Sequence, residues 1–343
     1  MTRFNAGIRG FYILGILMLS LTAFTPGAKA GCSCSVGNWD PSAFLNSELG
    51  TVQPVQSSSA HDNIAGNSGS SAQTTLDRAD SFPEGEILKS MKSVSSSDVV
   101  MDVSNGDSYA MSHIKNAIHI HAKDFLNGEG NLKTSEGLAK VLGDAGLSRD
   151  DSVVLYGNKE SSGEAEFAFW VLSYLGQIEV KLLDGGLADW KAAGLPLESL
   201  ENKKPATEYK PEVKKTLLAD YEYVKSGQAQ ILDARPFVEY GKGRIPGSIA
   251  QDPANIINGD RIKNGGDLET IFSRLGKGKP VVVYSDDYSR SSLVWYALQL
   301  MGYEASIYTW EDWKAHESAD VKDDTILSEG DAASSKYLKL GTT

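Results

Sequence analysis

Six short apolar runs recur between residues 96 and 308, separated by stretches whose apolar positions fall three and four apart. Ser96–Val103, Asp151–Tyr156 and Glu179–Leu183 form a first set; Ala229–Asp233, Pro280–Tyr284 and Ala305–Tyr308 form a second. Apolar residues on consecutive positions suit a strand covered on both faces. Thr134–Leu142, Ala165–Leu175, Leu268–Leu275 and Ser291–Met301 carry the helical spacing, with further helices around Trp190 and Trp313. Strands alternating with helices predict α/β units with a mainly parallel sheet. The order repeats once, over more than 100 residues, which predicts a duplicated domain and not a solenoid.

The flanks read differently. Residues 31–82 are rich in Ser, Gly, Asn, Gln and Thr without periodicity, so a flexible tether is expected there, and residues 318–343 form a polar tail. Arg3 and Arg9 precede the 14-residue apolar run Phe11–Phe24, and Ala28-Lys29-Ala30 follows as a cleavage pattern. Residues 1–30 are therefore expected to be a signal peptide, which puts the chain in the periplasm or cell envelope. Two other readings stay open: an uncleaved anchor, or a lipid on Cys32 after Ala30-Gly31, although Lys29 stands where such signals place a Leu-like residue. The membrane is expected as a partner only by these routes.

Apolar residues make up 41% of the chain, enough for a sizeable core, and the net charge of −12 repels phosphate backbones, so nucleic acid is not an expected partner. The only cysteines are Cys32 and Cys34, in the tether. They read as a lipid site or partner-linked thiols; without a second Cys pair or a nearby His, no metal is implied.

Four motifs carry a family resemblance. His113-Ile114-Lys115-Asn116-Ala117-Ile118-His119 and Gly243-Arg244-Ile245-Pro246-Gly247-Ser248-Ile249 resemble the G-H-I-P-G-A-I-H signature of rhodanese domains. Asp233-Ala234-Arg235-Pro236 with Glu239-Tyr240 resembles the D-x-R-x-x-x-E-Y element. Leu183-Asp184-Gly185-Gly186, Trp190 and Ala193-Gly194-Leu195-Pro196 resemble the family's L-D-G-G-W-x-x-W-x-x-A-G-L-P ending. The resemblance is to tandem-domain sulfurtransferases of the thiosulfate and mercaptopyruvate type. It implies two α/β domains, at 83–200 and 201–317, the first of the inert kind. It also implies a catalytic loop between the strand ending at Tyr284 and the helix Ser291–Met301, with no cofactor. In the family a cysteine there becomes a persulfide and passes its sulfur on.

On this resemblance, Ser285 stands at the cysteine's place, followed by Asp286, Asp287, Tyr288 at the loop glycine's place, Ser289 and Arg290; Asp233 and Arg235 form a supporting ion pair. A thiol near pKa ~8.5 can be made a thiolate by a helix N-terminus, whereas a serine hydroxyl cannot. Serine needs an adjacent base to act as nucleophile, and the loop offers two acids and no histidine. Those acids also repel thiosulfate-like anions. Three functions stay open. The first is a non-enzymatic binding or scaffold module with a protein partner. The second is sulfur or selenium handling through Cys32, Cys34 or a partner's thiol. The third is a receptor for a small oxyanion, including sulfur- or selenium-containing anions.

Overall fold

The computed structural model describes residues 78–318. The expected signal peptide, nearly all of the tether with Cys32 and Cys34, and the polar tail after Ser318 lie outside these residues. Among the described residues no helix is long and apolar enough to cross a membrane.

The first domain contains β1 (Leu88–Lys89), β2 (Val99–Asp102), α1 (Gly106–Met111), β3 (His113–Ile114), β4 (Ile118–His119), α2 (Ser135–Asp144), β5 (Ser152–Tyr156), α3 (Glu164–Tyr174), β6 (Glu179–Leu183), α4 (Leu187–Ala192) and β7 (Leu197–Glu198). Its sheet has the order β1-β6-β5-β2-β4, all neighbours parallel, and β3 pairs antiparallel with β7 apart from it.

The second domain contains α5 (Tyr221–Lys225), β8 (Gln230–Asp233), α6 (Phe237–Lys242), β9 (Ile249–Ala250), the hairpin of β10 (Ile257–Asn258) and β11 (Arg261–Ile262), α7 (Gly265–Ile271), β12 (Val281–Ser285), α8 (Tyr288–Leu300) and β13 (Ala305–Thr309). A last helix, α9, covers 310–318. The parallel order β13-β12-β8-β9 repeats β6-β5-β2-β4, and a bridge from Leu218 to Ile307 stands in for β1. The two expected α/β domains with mainly parallel sheets are therefore present.

The consecutive apolar residues are explained by burial on both faces. Val153 and Leu155 enter the main core while Val154 and Tyr156 face a second cluster; Val281 and Val283 divide from Val282 and Tyr284 in the same way. The main core runs continuously through both domains. Phe169 of α3 meets Trp295 and Tyr296 of α8 at ring centroid distances of 6.1 and 5.0 Å. Aromatic contacts of this size dominate interface energetics.

The segments next to the expected edges, 82/83 and 200/201, are held against the folded domains. Arg78–Ser81 already form a 3₁₀ turn, and Phe82 is buried. Residues 201–214 lie along the first domain: Thr207 N–H donates to Gly143 O, Glu212 N–H to Leu175 O and Lys214 N–H to Tyr174 O.

Candidate active site

Ser285 is the last residue of β12, paired with Thr309 of β13 and one position beyond the Tyr284–Asp233 pairing with β8. The carboxyl ends of parallel strands are where open α/β sheets place their ligands. Ser285 is buried. Its hydroxyl donates to Asp286 Oδ1 at 3.2 Å and accepts the Asp287 N–H at 3.2 Å. Among the described residues, no histidine is a hydrogen-bond partner of Ser285.

Only Asp286 separates the strand from the helix cap. Asp287 is the N-cap of α8, and its Oδ1 accepts from Ser289 N–H at 2.7 Å and Arg290 N–H at 3.4 Å. A helix N-terminus binds anions through such N–H groups; here the chain's own carboxylate takes them. Arg290 is not left to hold an oxyanion either, since its Nη1 meets Asp286 Oδ1 at 3.2 Å. The opening above the loop is about 160 Å³ and carries Asp286, Asp287 and Glu164 against Lys123. This arrangement disfavours a small anion.

Tyr288 does more than fill the loop. It begins α8 and stacks on Phe167 of the first domain, ring centroids 5.3 Å apart. The two helix starts touch beside it: Gly163, which opens α3 with φ 72°, lies so close to Ser289 that a Cβ would sit 2.3 Å from the Ser289 carbonyl oxygen. Gly163 is required there both by its left-handed backbone and by this approach.

Asp233 and Arg235 come together under the loop, both buried. Arg235 Nε donates to Asp233 Oδ1 at 2.9 Å and Nη2 to Oδ2 at 2.6 Å, while Nη2 also reaches Gly243 O. The guanidinium lies 4.0 Å over the Trp310 ring. Tyr284, the residue before Ser285, donates its phenol to Asp233; burial and that bond push the phenol well above its ordinary pKa. In the first domain Ser104 replaces the arginine, and one oxygen of the buried Asp102 has no partner.

With this geometry in view, comparison with known proteins is decisive. The profile described as Rhodanese-like domain matches residues 85–193 and again 218–316. The chain belongs to the rhodanese family. Over 211 residues it is 30% identical to the sulfur carrier protein TtuD of Thermus thermophilus, covering 52% of this chain and 74% of that protein. It is 26% identical over 253 residues to the thiosulfate sulfurtransferase of Corynebacterium glutamicum, 61% of this chain and 80% of that enzyme. Among solved structures, Escherichia coli SseA, described among the 3-mercaptopyruvate sulfotransferases, shares the fold at TM-score 0.57 and 21% identity, over 62% of this chain and 92% of SseA. Neither matched rhodanese domain contains a cysteine.

The rhodanese motifs point at β12 and miss a second group of polar residues, at the corresponding loop of the first rhodanese domain. Glu160 is buried there and ties the two domains: its Oε1 accepts Gly185 N–H at 3.0 Å and its Oε2 accepts Ile262 N–H at 2.7 Å. Arg78 bonds Asp184 and the Ile262 carbonyl, and Arg261 reaches Asp189 at 3.0 Å. Burial raises the Glu160 carboxyl to about 7, against the pull of Arg78. Glu166, in the first turn of α3, is fully buried and neither carboxylate oxygen has a partner among the described residues; burial pushes it well above the ordinary carboxylate range. One signal was available: a glutamate inside the otherwise apolar AEFAFWVL.

Proposed function

We propose that this is an exported rhodanese-family protein that lacks the standard thiosulfate sulfurtransferase reaction and works as a binding or scaffold module. The observation that carries this reading is the self-capped loop. Ser285 stands where the resemblance places the nucleophile, and the helix N–H groups that would stabilise a thiolate or a sulfur anion are held by Asp287. A hydroxyl bonded to the Asp286 carboxylate neither ionises near neutrality nor takes part in sulfur–sulfur exchange. The cores and inter-domain contacts are nonetheless intact, as selection for a surface would leave them.

A second reading is favoured by the likeness to a protein named as a sulfur carrier: Cys32 or Cys34, or a partner's thiol, carries sulfur while the rhodanese domains serve as a platform. The oxyanion-receptor reading draws no support from a loop whose donors are occupied.

The test is turnover of thiosulfate with cyanide by the full chain and by its Cys32→Ala/Cys34→Ala variant. Absence of turnover in both supports the first reading. Activity that disappears with the tail thiols supports the second, and activity that survives their removal overturns the first.

A further inference from the structure

The internal duplication exposes a difference between the two domains on the face away from the shared core. In the first domain Val100, Ile114, Val154, Tyr156, Leu183 and Trp190 form a separate apolar cluster. Position for position, Ile231, Ile245, Val282, Tyr284, Tyr308 and Trp313 form its counterpart in the second. The match extends to polar detail: Ile114 N–H donates to Tyr156 Oη at 2.9 Å, and Ile245 N–H to Tyr284 Oη at 3.1 Å.

In the first domain the cluster is covered by the chain itself. After α4 the backbone turns at Gly194 (φ 69°), and Leu195-Pro196 leads back into β7, which runs antiparallel to β3. Leu195 and Leu197 pack on the cluster. The Trp190 indole N–H donates to the Pro196 carbonyl at 3.0 Å, and the Glu198 carboxylate accepts the Asn116 N–H at 2.5 Å.

The second domain repeats Asp189-Trp190-Lys191-Ala192 as Asp312-Trp313-Lys314-Ala315, and then the likeness stops. Glu317 replaces Gly194, and Ser318-Ala319-Asp320 replaces Leu195-Pro196-Leu197. The helix α9 continues through 318 where α4 has already turned. A groove of about 900 Å³ lies where β7 would be, bordered by Ile245, Pro246, Gly247, Ile231, Val224 and Trp313. The Trp313 indole N–H is buried and has no partner among the described residues. A buried donor left unpaired costs about 1–3 kcal/mol, so such donors mark a missing acceptor.

We propose that this groove is a strand-addition site for an extended segment of a partner polypeptide with the pattern apolar–Pro–apolar–acid. The occupant is specified by what the first domain uses: two apolar side chains on the cluster, a carbonyl for the indole N–H and a carboxylate at the turn. Gly247 repeats the left-handed backbone of Asn116 (φ 77° and 65°), so its N–H is placed to meet that carboxylate. Pro246 stands in place of Lys115, whose N–H shares the Pro196 carbonyl in the first domain, so the occupant's carbonyl relies on Trp313 alone. Of the main-chain groups on this edge, the Ile245 N–H is held by Tyr284 and Pro246 has none, so the main-chain bond left for an added strand is to the Arg244 carbonyl. The site is separate from the β12 loop and stands whether or not that loop moves sulfur.

The experiment uses the full chain and an acetylated, amidated peptide of sequence AGLPLE, followed by calorimetry and by the indole N–H resonance of Trp313 in nitrogen-15 spectra. Saturable binding that moves this resonance is expected. Trp313→Phe, which keeps an aromatic side chain but removes the indole N–H, weakens binding at least about fivefold, the worth of one hydrogen bond. A peptide with both leucines replaced by aspartate does not bind, which tests the groove without altering the protein. No heat and no shift at millimolar peptide overturns the proposal. Equal binding of the aspartate peptide overturns it also. A shift produced by a peptide of residues 325–331 but not by AGLPLE would assign the groove to this chain's own segment, and the proposal would fall.

Discussion

Tyr288 and Phe167 stack face to face across the junction of the two rhodanese domains, with 24° between their planes. The resemblance places a loop glycine at 288, and a glycine could not make this contact. The substitution has converted a position of the loop into a position of the interface. Tyr288→Gly is expected to lower stability by about 3 kcal/mol, from lost aromatic burial and a flexible residue in the first helical turn. Tyr288→Phe should cost under about 1 kcal/mol, because the stack survives. Urea unfolding of the two variants distinguishes an interface anchor from a loose loop residue.

Restoring the missing thiol is expected to fail by itself. In Ser285→Cys the sulfur sits beside the Asp286 carboxylate and the Asp287 N–H, and the Ser289 and Arg290 N–H groups remain bound to the Asp287 carboxylate. Neighbouring carboxylates hold a thiol at or above its usual ~8.5. Titrating the thiolate by its ultraviolet absorbance should show that value, with no thiosulfate turnover. Adding Asp287→Gly frees the two donors and should lower the thiol pKa. A single Ser285→Cys variant with a pKa below ~7 would show that the helix terminus still dominates the loop.

Removing Arg235 should be among the most damaging single changes in the second domain. Its guanidinium is the bidentate partner of a buried carboxylate and lies on Trp310. Arg235→Ala leaves Asp233 buried and uncompensated, at a cost of about 3–5 kcal/mol. Arg235→Lys retains the charge but loses the fork and the stacking. Asp233→Asn/Arg235→Met should recover part of the loss, because the cost lies in the unpaired charge. Thermal unfolding of the three variants tests that order.

The strands were legible because both sheet faces are buried, which leaves uninterrupted apolar runs such as Val281–Tyr284. The position of the candidate loop was legible from the motifs around Arg235 and Ile245. The role of Asp287 was not: its charge suggests repulsion of anions, while its geometry makes it a helix cap. The attachment of residues 201–214 was not legible because they have no periodicity; backbone hydrogen bonds to Gly143, Leu175 and Tyr174 fix them to the first domain. Glu160 and Glu166 escaped because linear spacing does not reveal that α3 faces a second domain.

Those two glutamates predict a pH dependence with a definite sign. Both have folded-state pKa values above the ordinary 4.5, Glu160 at about 7. The folded protein therefore keeps protons that the unfolded chain releases. The contribution is fully present below about 4.5 and is lost as pH rises through the folded-state values. For Glu160 the interval from 4.5 to about 7 corresponds to on the order of 3 kcal/mol. Glu166 is the cleaner test, since no hydrogen bond is lost when it is replaced. Glu166→Gln should match the parent near pH ~3, where the acid is neutral in both states, and exceed it progressively toward pH ~8. Unfolding curves for the pair, measured across that range at fixed salt, should diverge on the alkaline side. Curves that stay parallel would mean that Glu166 has the same proton affinity folded and unfolded, and so that its carboxyl finds water or a partner at the domain junction.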